Sequence, residues 1–107
     1  MERSGLTSMS QPTRAAESVG PVLIRGRTAE ALVLAIRATN TDVEVIDRGA
    51  YLRVLVPGSC RLSRVAVEAQ LGASFRLPAD LEEVMPSFKG RLVIGEQEVI
   101  WQAGGEP

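Results

Sequence analysis

Apolar residues recur at two different spacings along the chain, and the clearest signal is helical. Four of them follow the i, i+3, i+4, i+7 spacing that places side chains on one face of a helix: Ala29, Leu32, Val33 and Ile36. Thr28 precedes them and suits the N-cap position, because its hydroxyl can accept a hydrogen bond from a free backbone N–H. Residues 39–42, Thr-Asn-Thr-Asp, favour a turn. The pattern predicts a helix that begins after Thr28 and ends at this turn.

Two further stretches carry helical signals. Ser63 as N-cap and Gly72 just past the end bound a short predicted helix over Arg64–Leu71. Residues 77–85 allow two interpretations. Pro78 suits a first helical position, which favours one or two turns of helix, whereas an extended loop is equally compatible with the sequence.

Strands are predicted where short runs of β-branched and other apolar residues stand between turn residues. These runs span residues 21–25, 43–47, 50–56, 60–62, 91–94 and 98–101. We expect the second and third to form an antiparallel pair around Arg48 and Gly49, and the last two to form a hairpin through residues 95–97. The period of two in the third run divides its side chains between two faces, with Leu52, Val54 and Val56 on one and Tyr51, Arg53 and Leu55 on the other.

The order of these elements predicts an α+β fold with two helices packed on a mostly antiparallel sheet. Each half runs strand, helix, strand, strand, so the topology resembles a doubled βαββ unit. Residues 1–20 are polar and lack sustained apolar periodicity, and we expect them to form a flexible N-terminal arm. The folded domain then spans residues 21–102, and residues 103–107 are expected to form a flexible C-terminal tail.

The composition limits which partners and which cellular compartment are expected for the protein. The 107 residues include 12 Lys+Arg and 13 Asp+Glu, and no basic run could neutralise a row of phosphates, so nucleic acid is not an expected partner. No apolar run is long enough to cross a membrane or to serve as a signal peptide. The single cysteine, Cys60, can form no internal disulfide and suits the cytoplasm, and its strand context predicts a small buried apolar role.

Histidine is absent from the sequence, which weakens most enzymatic interpretations. It is the commonest general base near neutral pH and the commonest ligand of transition metals. Three acids stand close together, Asp80, Glu82 and Glu83, and could flank a substrate or hold a hard cation. At the start of a helix the same acids would only complement the helix dipole. We therefore expect a protein without cofactor, metal or catalytic residue. The alternative is a stand-alone domain that binds a ligand or is an enzyme based on these carboxylates.

Phe88 differs from the other aromatic residues because turn-forming residues surround it. Pro86 and Ser87 precede it, and Gly90 follows closely. An apolar ring in such a loop is a candidate contact for a partner protein.

Four short motifs follow one another in order along the chain. They are Val19-Gly20-Pro21-Val22; Asn40 followed by Val43-Glu44-Val45-Ile46-Asp47-Arg48-Gly49-Ala50-Tyr51; Gln70-Leu71-Gly72 with Phe75; and Ser87-Phe88-Lys89-Gly90. In order and spacing they resemble the effector, or coupling, protein of soluble bacterial multicomponent diiron monooxygenases, which act on methane, toluene, phenol and alkenes. The Val-Gly-Pro and Ser-Phe-x-Gly pieces are most similar to the toluene-type and alkene-type members.

This resemblance implies a cofactor-free regulatory subunit that catalyses nothing alone. In this group the effector docks on the diiron hydroxylase component and couples O2 activation and NADH use to substrate hydroxylation or epoxidation, in the catabolism of aromatic hydrocarbons or alkenes. The hydroxylase is accordingly the expected partner, and the free protein is expected to be a cytoplasmic monomer.

The resemblance also implies a set of hydroxylase contacts: Asn40, Phe75, Leu77, Pro86, Ser87 and Phe88. Arg48 and Tyr51 belong either to the interface or to the structure. An arginine at a strand turn beside a partly buried tyrosine commonly donates hydrogen bonds to backbone carbonyls, which favours the structural role.

Overall fold

Seven strands and three helices follow one another between residues 17 and 104, the part of the chain that this computed structural model describes. In chain order they are β1 (Ser18–Ile24), α1 (Arg27–Thr39), β2 (Glu44–Asp47), β3 (Tyr51–Pro57), β4 (Ser59–Ser63), α2 (Arg64–Leu71), α3 (Ala79–Val84), β5 (Ser87–Lys89), β6 (Arg91–Ile94) and β7 (Glu98–Gln102). The predicted α+β class is confirmed, with three helices instead of two. Most of the predicted arm and tail, residues 1–16 and 105–107, lies outside the described residues. Among residues 17–104, no helix combines the length and apolar character needed to cross a membrane.

The strands form two antiparallel sheets with the same internal arrangement. The first has the order β2-β3-β1-β5 and the second the order β4-β7-β6. In the unit β1-α1-β2-β3 the last strand lies between the other two, and β7 holds the equivalent place in the unit β4-α2-β6-β7. The doubled βαββ topology is therefore present, with α3 and β5 added between α2 and β6.

The first sheet has one face in the core and one face open to solvent. Along β3, Leu52, Val54 and Val56 are buried, whereas Tyr51, Arg53 and Leu55 are half-buried or exposed. Helix α1 contributes Ala29, Leu32, Ala35 and Ile36 to the same core as the buried β3 residues. The same separation into a buried side and a solvent-facing side extends to the neighbouring strands, because Arg53 lies opposite Val22 of β1 and Ile46 of β2. We call the solvent-facing side of this sheet the outer face.

Two element boundaries differ from the sequence-based expectation. β1 begins at Ser18, because Ser18 and Val19 pair with the end of β3, so the last residues assigned to the arm belong to the sheet. Helix α1 begins at Arg27, and the Glu30 N–H donates to the Gly26 carbonyl at 3.0 Å. Gly26 is therefore the N-cap, and the prediction of Thr28 at that position was wrong.

Helix α2 has both of its predicted caps. The Ser63 hydroxyl accepts a hydrogen bond from the Ala66 N–H at 3.3 Å. At the other end Gly72 has a left-handed backbone with φ of 72°, and its N–H donates to the Glu68 carbonyl at 2.8 Å.

The segment after α2 contains two short elements. The helical alternative for residues 77–85 is correct over Ala79–Val84, with Pro78 at the N-cap rather than inside the helix. The segment around Phe88 is not a free loop, because β5 pairs with β1 and sets Phe88 opposite Pro21. A strand of three residues between Pro86 and Gly90 is too short to produce an alternating pattern in the sequence.

Gly90 connects the two sheets at a point where the backbone has no room for a side chain. Its φ is +107°, and a Cβ atom there would lie 2.8 Å from Cγ1 of Val19 in β1 and 2.9 Å from the Gln102 carbonyl oxygen in β7. Only glycine fits this passage from β5 to β6 without displacing the neighbouring strands.

The second sheet buries the only tryptophan beside the only cysteine. Trp101 lies opposite Cys60 in the β4–β7 pairing, and both side chains are fully buried. Burial raises the pKa of the Cys60 thiol to about 12. The predicted buried role of Cys60 is confirmed. The indole Nε1 of Trp101 is buried without a hydrogen-bond partner in the described part of the chain.

Candidate partner interface

An open groove of about 360 Å³ crosses the outer face from β3 to β5. It is lined by Val22, Arg48, Tyr51, Arg53, Ser87, Phe88 and Lys89. Three of these side chains are cationic and none is acidic. Tyr51 is 44% exposed and Phe88 is 42% exposed, so two aromatic residues at the groove are accessible to a partner. We call this site the β3–β5 groove.

The groove brings together four of the eight residues that the sequence suggested for the interface. Ser87 and Phe88 come from β5, Tyr51 begins β3, and Arg48 lies in the turn before it. Pro86 is exposed immediately before β5. The pairing of β5 with β1 holds Ser87 opposite Val22, so the β5 side of the groove and its β3 side belong to the same sheet.

The other three predicted contacts lie elsewhere. Phe75 is only 2% exposed and belongs to the core, so its ring is not accessible at the surface of this structure, and its predicted contact with a partner stays a prediction. Its N–H donates to the Glu68 carboxylate at 2.9 Å, which ties this segment to α2. Leu77 is half-buried against the same core. Asn40 ends α1, and its amide is used within the chain, donating to the Ile36 carbonyl at 2.7 Å.

The arginine that fixes the β2–β3 turn is Arg25 rather than Arg48. Arg25 Nε donates to the Gly49 carbonyl at 2.6 Å, and the same guanidinium forms an ion pair with Asp47. The Asp47 carboxylate also accepts the Gly49 N–H at 2.8 Å. The hydrogen bond from Arg25, followed by that from Gly49, lowers the pKa of Asp47. Arg48 takes part through its backbone N–H, which donates to the Tyr51 carbonyl at 2.8 Å, while its side chain lines the groove.

Sequence reasoning missed three residues of the groove: Val22, Arg53 and Lys89. The alternation along β3 already put Arg53 on the same face as Tyr51. What the sequence did not reveal is the β1–β5 pairing, which brings Lys89 and Val22 to that face. A signal for it exists only in the tertiary structure, because the paired residues are far apart along the chain.

The acidic cluster is engaged in local structure at the start of α3. The Asp80 carboxylate accepts the Arg76 N–H at 2.7 Å and pairs with the Arg76 guanidinium at 2.8 Å. These contacts, led by the guanidinium, lower the pKa of Asp80. Glu82 and Glu83 are exposed. Among residues 17–104, no group of three or more acidic, cysteine or histidine side chains is arranged to hold a metal ion.

Comparisons with known proteins cover nearly the whole described domain. Residues 17–102 match the model of the MmoB/DmpM family. Over 85 residues the chain is 44% identical to the effector subunit of an alkene monooxygenase system from Xanthobacter autotrophicus, an alignment that spans 78% of this chain and 83% of that protein. The fold is similar to that of a chain in the structure of a phenol hydroxylase–regulatory protein complex, with a TM-score of 0.72 and 17% identity over 81% of this chain and 98% of that chain.

Proposed function

The chain belongs to the MmoB/DmpM family, and on this premise we propose that it is the regulatory, or effector, subunit of a multicomponent monooxygenase that oxidises an aromatic hydrocarbon or an alkene. Its partner is the hydroxylase component of that system, and binding couples O2 activation and NADH use to oxidation of the substrate.

One observation carries this proposal. The 44% identity to an alkene monooxygenase effector subunit extends over 85 residues, and the family match over residues 17–102 spans both βαββ units rather than one motif. The likeness to the chain in the phenol hydroxylase complex supports the fold alone, because a fold by itself does not specify a function.

An effector of this kind acts through differential binding. It shifts the hydroxylase from one conformation to another only by the amount that it binds the second conformation better, typically about 1–3 kcal/mol of coupling. A folded body with a single core suits this task, because little of the binding free energy is then needed to order the effector itself.

The proposal includes that this subunit performs no chemical step. The thiol of Cys60 is buried with a raised pKa and cannot act as a nucleophile near neutral pH. Asp80 is held by Arg76, and the sequence contains no histidine to serve as a general base. The protein is a cytoplasmic monomer when free, in keeping with its unpaired buried cysteine.

The test is a titration of this protein into the purified cognate hydroxylase and its electron-transfer components. We expect the ratio of oxidised product to NADH consumed to rise and to saturate at a fixed ratio of effector to hydroxylase active sites. A flat response from folded protein and competent hydroxylase would overturn the proposal.

A second set of measurements addresses the carboxylate-based alternative. The double variant Glu82→Gln, Glu83→Gln removes the two exposed acids of the cluster. We expect it to activate the hydroxylase as well as the wild type does, and calorimetry of the wild-type protein with divalent metals to give no heat of binding. Loss of activation together with metal binding would favour the alternative.

A further inference from the structure

The β3–β5 groove has the composition of a protein-binding surface. Tyrosine and arginine are enriched among the residues that carry most of the binding energy at interfaces, and the groove presents Tyr51 beside Arg48 and Arg53. Phe88 adds a second accessible aromatic side chain. Solvent-exposed rings and guanidinium groups concentrated in one concave site are typical of a surface that binds another protein, and less typical of a surface that contacts only solvent.

Arg53 lines this groove from β3, the strand between β2 and β1. It is half-buried, and its cross-strand neighbours on both sides are apolar, Ile46 in β2 and Val22 in β1. Among residues 17–104 it forms no ion pair, and Asp47 at the end of β2 is already engaged by Arg25. A partner that covers Arg53 without providing a carboxylate would bury an unpaired charge, which is strongly unfavourable.

Apolar surface continues beyond the groove along the outer face. Ile24 of β1 is 45% exposed and pairs with Tyr51, and Leu55 of β3 is half-buried on the same side. A small free anion would gain nothing from these side chains. A protein surface that carries acidic and apolar groups would use both the cations and the apolar neighbours.

We propose that the β3–β5 groove and the adjoining outer face bind the hydroxylase component through a segment that carries carboxylates flanked by apolar side chains. Arg53 receives a carboxylate of that segment in a charge-assisted hydrogen bond, while Tyr51 and Phe88 pack against its apolar part. This inference rests on the proposed function, since it names the surface by which the effector engages its partner.

Two variants of the groove are compared with two matched variants on the opposite side of the domain. Arg53→Gln removes the charge of Arg53, and Tyr51→Ala removes one of the two accessible rings. Arg37→Gln and Leu34→Ala make equivalent changes at exposed positions of α1. The dissociation constant for the purified cognate hydroxylase is measured by calorimetry at several ionic strengths, and the unfolding midpoint of each variant is measured separately.

We expect each groove variant to weaken binding by about tenfold or more, with an unchanged unfolding midpoint, whereas both α1 variants bind like the wild type. Arg53→Gln also reduces the salt dependence of binding, because one charge pair is lost. If the wild type activates the hydroxylase and the groove variants bind as tightly as it does, this surface assignment is overturned while the proposed function stands. Equal weakening by all four variants also overturns it. A wild-type protein that neither binds nor activates the hydroxylase overturns the proposed function itself.

Discussion

The Asn40 side chain and the Arg61 backbone form two hydrogen bonds in opposite directions. Asn40 Nδ2 donates to the Arg61 carbonyl at 2.7 Å, and the Arg61 N–H donates to Asn40 Oδ1 at 3.0 Å. Asn40 follows α1 in the first βαββ unit, and Arg61 lies in β4 of the second. The amide thus pairs with β4 as a strand residue would, and it joins the two halves of the fold.

Replacing Asn40 should therefore destabilise the whole domain. Asn40→Ala removes the acceptor of the Arg61 N–H and the donor to the Ile36 carbonyl, and we expect a loss of about 1–3 kcal/mol in the free energy of unfolding. Urea denaturation of the variant and the wild type measures this difference in the free energy of unfolding. Thr41→Ala, at an exposed neighbouring position, is the control and should change stability by less than about 0.5 kcal/mol. Equal stability of the two variants would mean that solvent replaces the Asn40 bonds at no cost.

Gly90→Ala is expected to be more damaging than an alanine at another left-handed glycine. Its new Cβ must displace Val19 or Gln102 in addition to adopting a positive φ, for a combined cost of about 2–4 kcal/mol. Gly58 has a φ of +80° but no atom within 4 Å of the added Cβ, so Gly58→Ala isolates the backbone cost of about 1–2 kcal/mol. Thermal unfolding of the two variants compares these effects. A cost for Gly90→Ala no larger than that for Gly58→Ala would show that the strands shift freely at this crossing.

Glu68 gives the stability of the domain a defined dependence on pH. Its carboxylate accepts the Phe75 N–H at 2.9 Å and the Arg64 guanidinium at 3.2 Å, and these bonds, led by that from Phe75, lower its pKa in the folded state. A carboxylate whose pKa is lower in the folded protein than in the unfolded chain stabilises the fold above the unfolded-state pKa. That contribution is lost as pH falls through the folded-state pKa.

The variant Glu68→Gln tests this pH dependence. We expect it to be less stable than the wild type near neutral pH, and the difference to shrink as the solution is acidified. Glu96→Gln, in the exposed β6–β7 turn, removes the same charge as a control. The measurement is urea denaturation at a series of pH values. A stability difference that stays constant from neutral to acidic pH would contradict the assigned role of Glu68.

Cys60 should react with thiol reagents only after the protein opens. Its side chain is fully buried, and its pKa of about 12 leaves almost no thiolate near neutral pH. We expect labelling by an aromatic disulfide reagent to be very slow in native buffer and to accelerate steeply with denaturant, in parallel with unfolding. Rapid stoichiometric labelling of the native protein would contradict the burial of the Cys60 side chain in the core.

Local signals in the sequence predicted the elements that depend on adjacent residues. Ser63 and Gly72 bound α2 as expected, because a cap is a contact between residues three or four positions apart. The alternation along β3 likewise predicted which of its side chains are buried. Thr28 carried the same type of capping signal as Ser63, yet Gly26 is the N-cap of α1, since any of several residues before an apolar stripe can hold that position.

The candidate site depends on contacts that the sequence does not encode locally. The β3–β5 groove is assembled from β1, the β2–β3 turn, β3 and β5, and it exists only because β5 pairs with β1. Phe75 illustrates the converse. In the sequence it lies in a connecting segment that looks like a surface loop. In the structure its N–H donates a hydrogen bond to the Glu68 carboxylate, and its ring is packed in the core.

The placement of Trp101 gives this protein an intrinsic fluorescent probe of folding that is separate from the β3–β5 groove. The one indole of the chain is fully enclosed in the second sheet, whereas the β3–β5 groove lies on the outer face of the first. Its emission should therefore shift to longer wavelength when the domain unfolds, and should change little when a partner covers the groove. For a variant that no longer binds its partner, a fluorescence spectrum thus shows whether the fold has been lost as well.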